Sequence, residues 1–141
     1  MTPARTPSPL VATMRYKDAP AAIEWLCDAL GFERRLVVPD DGGGIAHAQL
    51  TFGNGMIMLG SDRDDAFGSV QRAPASADAV VTQSVYLIVD DPDAHYRRAV
   101  DAGAQVVMPI RDEDYGGRGF TIRDPGGHVW TLGSYDPWAD G

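Results

Sequence analysis

Gly53-Asn54-Gly55-Met56-Ile57-Met58-Leu59-Gly60 and Gly126-Gly127-His128-Val129-Trp130-Thr131-Leu132-Gly133 are two copies of one pattern, 73 residues apart. Working outward, the same offset pairs Asp18 with Asp91, Ala21 with Ala94, Asp28 with Asp101 and Ala29 with Ala102. A period this long holds several secondary elements, so the chain reads as two similar halves sharing a cleft and not as a solenoid.

Each half carries a helix with clear boundaries. Asp18 caps the first, Pro20 suits its first turn and Gly31 ends it. Ile23, Leu26, Cys27 and Leu30 follow the i, i+3, i+4, i+7 spacing of a one-sided apolar stripe. The offset transfers that stripe to Tyr96, Ala99, Val100 and Gly103 in a second helix, capped by Asp91 and opened by Pro92. Strands are expected at Leu10–Lys17, Glu33–Val38, Gly44–Phe52 and Gly55–Gly60, then at Gln83–Asp90, Gln105–Ile110, Arg118–Arg123 and His128–Ser134. Gly42-Gly43-Gly44 and Asp124-Pro125-Gly126-Gly127 supply turns. Each half is therefore β-α-β-β-β. The fold class is α+β, with the two modules forming an incomplete barrel around a cleft.

Modules 9–60 and 83–135 make one domain over 9–135, with a flexible tail at 1–8, a joining loop at 61–82 and a C-terminal tail at 136–141. Ser61–Ala79 is rich in Asp, Ser, Ala and Pro and lacks periodicity, which fits a linker or a flap. A single cysteine, Cys27, excludes an internal disulfide framework and fits a reducing cytoplasm. Twelve basic against twenty acidic residues give a net charge of −8, which disfavours nucleic acid and attracts small cations. No apolar run is long enough to span a membrane, and Met1 to Pro9 does not read as a signal peptide.

The stretch from Tyr115-Gly116-Gly117-Arg118-Gly119-Phe120 through Asp124-Pro125-Gly126-Gly127-His128-Val129-Trp130, with the helix openings at Asp18 and Asp91, resembles the vicinal-oxygen-chelate superfamily of glyoxalases, bleomycin-resistance proteins and extradiol dioxygenases, in its PhnB-like branch. The resemblance covers about residues 9–135 and implies the paired-module fold and a homodimer. It also implies four positions where metal enzymes of this kind hold an ion: Val11, Met58, Ser84 and Thr131. Valine has no donor atom, a thioether is soft, and neutral hydroxyls bind divalent ions weakly. No metal and no cofactor are expected.

Strand alternation turns Val85, Leu87 and Val89 toward the second helix and Ser84, Tyr86 and Ile88 toward the cleft; by offset, Val11, Thr13 and Arg15 face it from the first half. Met56, Met58, Val129 and Thr131 follow, with Ile57, Leu59, Trp130 and Leu132 beneath the helices. His47 and Gln49 lie together on the polar side of their strand. The expected ligand-binding set is His47, Gln49, Met56, Met58, Ser84, Tyr86, Tyr115, Phe120 and Thr131, with Ile122 as a further wall. Thioether and aromatic walls with a few polar groups are typical of small-molecule pockets. No phosphate-binding loop, paired carboxylates or Cys-x-x-Cys occurs, and no residue is assigned a catalytic role. The expected function is metal-free binding of a small, partly apolar molecule, cationic ones included, with drug sequestration as one use. The alternative is a divalent-metal-dependent lyase, isomerase or dioxygenase in which His47 and Gln49 form part of a displaced site. A regulatory partner surface around Trp25 is a third reading.

Overall fold

A computed structural model describes residues 7–139. The described residues fall into two compact units that divide between Ala73 and Pro74, so the segment expected to join the modules is shared between them. The tail residues 1–6 and 140–141 lie outside the described residues, whereas Ser8 is already tied through its amide to Asn54 O at 2.8 Å.

The first unit runs β1 (Val11–Tyr16), α1 (Ala19–Trp25, continued by a π-helical turn at Leu26–Leu30), β2 (Glu33–Pro39), β3 (Ile45–Phe52) and β4 (Gly55–Ser61). The second runs β5 (Val85–Ile88), α2 (Pro92–Asp101), β6 (Gln105–Asp112), β7 (Arg118–Arg123) and β8 (Val129–Gly133). The sheets have matching orders, β1-β4-β3-β2 and β5-β8-β7-β6. The outer pairs β1–β4 and β5–β8 are parallel and the others antiparallel. The α+β class and the β-α-β-β-β repeat thus stand.

The helix openings repeat in detail. Asp18 Oδ1 accepts the Ala21 amide and Asp91 Oδ1 the Ala94 amide, each at 3.2 Å. The helix ends do not keep the same phase. Gly31 and Gly103 both close their helices in the left-handed region (φ 88° and 89°), yet they are 72 residues apart while the caps are 73 apart. The first helix holds one surplus residue, and the π-helical turn absorbs it, since an i→i+5 bond encloses one more residue than an α-turn. Gly31 N donates to Leu26 O across that turn.

The 72-residue phase then persists. A register break at Arg35 in β2 is matched by one at Val107 in β6. Ala48 pairs with Leu59 and Phe120 with Leu132, which makes Ala48 and Phe120 equivalent. The original phase returns at the last hairpin. There Phe52 and Gly55 flank two residues, whereas Asp124 and His128, joined by a 2.9 Å backbone bond, flank three.

In each unit one face of the sheet is buried under the helix. Leu26, Ala29 and Leu30 meet a face carrying Ala48, Leu50, Ile57 and Leu59 in the first unit. In the second, Ala99 is buried, and Tyr96 packs edge-on against Phe120 beside Ile122, Trp130 and Leu132. Cys27 and Val100 were both expected on the apolar stripes, but Cys27 is only half-buried and Val100 is exposed; Ala29 takes the inward place as the π-turn rotates the chain.

The segment 61–73 folds onto the first unit. Asp62 N donates to Tyr16 O, Asp62 Oδ1 accepts the Ala73 amide at 2.8 Å, and Gln71 Nε2 reaches Thr13 O on edge strand β1 at 3.0 Å.

Candidate functional site

Directly paired residues project from the same face of a sheet, so the ladders define rows of side chains. On the face opposite α2, Tyr86 of β5, Thr131 of β8, Thr121 of β7 and Met108 of β6 stand side by side. The matching row of the first unit is Thr13, Met58, Gln49 and Leu36. The ladders correspond through the repeat; the side chains do not.

A cavity of about 260 Å³ opens over the second row, in the second unit. Its floor includes Gly119 and Gly133, which pair with one another across β7 and β8. A Cβ on Gly133 would come within 2.7 Å of the Tyr86 hydroxyl, so glycine is what lets that phenol lie over the strand. Tyr86 Oη donates to Tyr135 O at 2.7 Å, and Tyr115 meets Tyr135 edge-on with centroids 5.2 Å apart. Burial, then the neighbouring Tyr115, Tyr135 and Asp136, hold the Tyr86 phenol above its usual range. It is a neutral donor at physiological pH.

The polar groups of the cavity are largely engaged. Thr121 and Thr131 share a hydroxyl–hydroxyl bond of 2.8 Å. Arg111 Nε pairs with Glu113 at 3.0 Å, and Arg118 makes Nε and Nη2 bonds to Asp93 and an Nη1 bond to Asp112. Those carboxylates hold both guanidiniums above their usual range.

Of the nine expected binding residues, Tyr86, Tyr115, Phe120 and Thr131 border this cavity. For Phe120 the expected orientation is corrected: its ring is 2% exposed and lies against Tyr96, on the helix face, with Ile122 likewise buried. The one-residue change of phase is the reason. At offset 73 Phe120 matches outward His47; at the true offset of 72 it matches inward Ala48, and a single-residue shift along a strand reverses every face. The same shift identifies Thr121, which the sequence reading missed, as the partner of Gln49. Met108, Arg111, Glu113 and Tyr135 were also missed, and they come from a strand with register breaks and from strand ends. Ser84 precedes β5 and is exposed.

His47, Gln49, Met56 and Met58 belong to the corresponding face of the first unit. His47 Nε2 and Gln49 Nε2 are 3.1 Å apart and bond to one another. Arg15, expected as a polar contact on this face, is taken up by the 61–73 segment. Its guanidinium approaches Asp65 at 3.8 Å and lies over the Phe67 ring, 5.4 Å from the centroid.

The donor set at the four metal-equivalent positions does not fit a divalent ion. Val11 offers no lone pair, Met58 a thioether, Ser84 a hydroxyl outside the strand, and the Thr131 hydroxyl is already bonded to Thr121. Among the described residues, no three His, Cys, Asp or Glu side chains gather as a metal cluster.

The model of the Glyoxalase/Bleomycin resistance protein/Dioxygenase superfamily matches residues 9–132, and the chain belongs to that superfamily. It is 34% identical over 116 residues to an uncharacterized protein of Mycobacterium bovis, covering 82% of this chain and 76% of that one. TioX from Micromonospora sp. ML1 is similar in structure, with a TM-score of 0.71, 31% identity, and coverage of 89% of this chain and 97% of that chain. The fosfomycin resistance protein FosX from Mesorhizobium loti shares the fold (TM-score 0.65, 13% identity, coverage of 92% and 93%). No helix among the described residues is long and apolar enough to cross a membrane.

Proposed function

We propose that the protein is a metal-free binding member of its superfamily, enclosing a small, partly apolar organic molecule, with sequestration of a drug-like compound as one use. The observation that carries this reading is the cavity over the Tyr86–Thr131–Thr121–Met108 row. It combines tyrosine and thioether walls with hydroxyls, and its charged groups are already paired. A preformed concave site whose polar groups are largely bonded to one another suits binding by shape and contact. The expected ligand contacts on the first module, His47, Gln49, Met56 and Met58, belong to the same reading, as do a cytoplasmic location and the homodimer implied by the family.

A thermal-shift screen of aromatic and antibiotic-like compounds, run beside metal analysis of protein purified without chelators, tests it. A ligand at 100 times its dissociation constant stabilises the fold by about 2.7 kcal/mol. Stoichiometric divalent metal that disappears in His47→Ala would replace this reading with the metal-dependent lyase, isomerase or dioxygenase, for which the His47–Gln49 pair is the supporting observation. Light scattering on an eluting peak checks the dimer.

A further inference from the structure

The rings around the second-unit cavity have a chemistry that its own strands do not require. Tyr115 and Tyr135 lie beyond the paired segments of β6, β7 and β8, and Tyr86 projects from β5, yet the three bring phenol rings to one 260 Å³ space. Resting on the binding-protein reading, we propose that this cavity selects an organic cation, a quaternary ammonium or alkylated aromatic nitrogen, held among Tyr86, Tyr115 and Tyr135 with Glu113 as the counter-charge.

Three observations support it. First, the face of a phenol is electron-rich and attracts a cation most strongly when water is excluded. The chain already contains such a contact in its first unit, where the Arg15 guanidinium lies over Phe67. Second, Glu113 is drawn out of solvent while its partner is not: the Glu113 side chain is 16% exposed and that of Arg111 is 57% exposed. An ion pair held from the solvent side is weak and screened, so Arg111 can yield that carboxylate to a ligand. Third, the two guanidiniums that line the cavity beside Glu113 are neutralised: Arg118 from outside it, by both Asp93 and Asp112, and Arg111 by Glu113 itself, so once Arg111 swings away Glu113 is the cavity's unopposed charge. Arg118 has its donors turned to Asp93 and Asp112.

The size of the space limits what it holds. Pockets for drug-sized ligands occupy about 300–1,000 Å³, so this cavity takes a single ring with its methylated ammonium head, as a whole small molecule or as one end of a drug-like compound. The equivalent row of the first unit, Thr13–Met58–Gln49–Leu36, has no ring at all. Cation selection would belong to the second module alone.

Three probes of like shape separate charge from size: phenyltrimethylammonium, its neutral isostere tert-butylbenzene, and the anion benzenesulfonate, each titrated into the full-length protein and followed by NMR. The cation is expected to bind about tenfold tighter than the neutral isostere, and the anion more weakly than either. Tyr115→Leu, at a half-exposed position whose loss leaves the core intact, should bring the cation and the isostere to the same affinity. Glu113→Gln should weaken the cation alone, and the melting temperature of each variant reports that it is folded. If the isostere or the anion binds best, cation selection is wrong while the binding reading stands. If none of the three binds, cation selection is also wrong, and the binding reading is then judged by the compound screen.

Discussion

Asp124 provides the sharpest test of how the Asp-Pro-x-Gly-His turn works. Its carboxylate is 3% exposed. Oδ1 accepts the Gly126 and His128 amides, both at 3.0 Å, and Oδ2 accepts the indole Nε1–H of the wholly buried Trp130 at 2.9 Å. One side chain thus closes the β7–β8 turn and satisfies the indole in the core. In Asp124→Ala the indole donor is stranded in a dry core, which costs about 1–3 kcal/mol, while the turn amides recover part of their loss from water. The expected total is about 3–4 kcal/mol, near the upper end for single substitutions.

Asp124→Asn separates the two jobs. Its carbonyl oxygen can still accept the turn amides, but its NH2 then opposes the indole N–H, donor against donor. The expected loss is about 1–2 kcal/mol, and most of it should vanish in a Trp130→Phe background, where no indole donor remains. Urea unfolding followed by far-ultraviolet dichroism measures these differences; at about 1–3 kcal/mol per molar, the alanine variant should shift the midpoint by a molar or more. A loss under about 1 kcal/mol for Asp124→Ala, or an asparagine cost that is the same with and without the indole, would refute this account of the turn.

Gly133→Ala drives a methyl toward the Tyr86 hydroxyl and should cost about 1–2 kcal/mol; Tyr86→Phe in the same background removes the colliding oxygen and should recover part of that loss in the same urea assay. Two groups contribute to the acid sensitivity. Burial, then the charge of Arg98, holds the His95 imidazole below its ordinary 6.5 against the pull of Asp91, so the unfolded chain takes up that proton first. Its contribution is complete above pH 6.5 and is lost as pH falls toward the folded value, which a histidine NMR titration locates. Asp93 is held below its ordinary 3.8 by the Arg118 hydrogen bonds, so its stabilisation is present above that pH and fades as acid titrates the folded carboxyl. Asp93→Asn should flatten the melting-temperature profile in that lower window only. Deleting Asp28 removes the surplus residue of the π-turn and should lower the melting temperature less than deleting Arg98 from α2 does, because only α1 has a residue to spare.

The elements legible in the sequence are those whose signals are local. Asp18 and Asp91 with their prolines mark the helix starts, and alternation places Met56, Met58, Tyr86 and Thr131 on the face away from the helices. Phe120 was not legible because its face depends on the phase of the repeat. That phase slips at Leu26–Leu30, inside a helix whose apolar spacing still looks regular. The slip leaves one trace in the sequence, the 72-residue spacing of Gly31 and Gly103 against the 73-residue spacing of the caps. Ser84 shows the limit of alternation at a strand end, where pairing stops before the pattern does. Arg111, Glu113 and Tyr135 reach the cavity through register breaks and strand ends, and Arg15 is captured by Asp65 and Phe67, a segment with no periodicity to read.

The two cores show that equivalent places need not hold equivalent residues. Leu26 in the first helix corresponds to Ala99 in the second, and both are wholly buried. On the opposing sheet the sizes reverse: Ala48 corresponds to Phe120, and Ile57 to Trp130. The first unit fills its interior from the helix, the second from the sheet, and close packing demands that a gain on one side be matched by a loss on the other. Ala48→Phe alone should therefore overpack the first unit and cost about 3 kcal/mol or more. Leu26→Ala alone should leave a cavity at a cost of about 2–5 kcal/mol. Together they recreate the arrangement of the second unit, and the double variant should be more stable than the sum of the single losses by about 0.5–3 kcal/mol, read from a urea double-mutant cycle. Strictly additive losses would mean that the two positions do not share one packing volume.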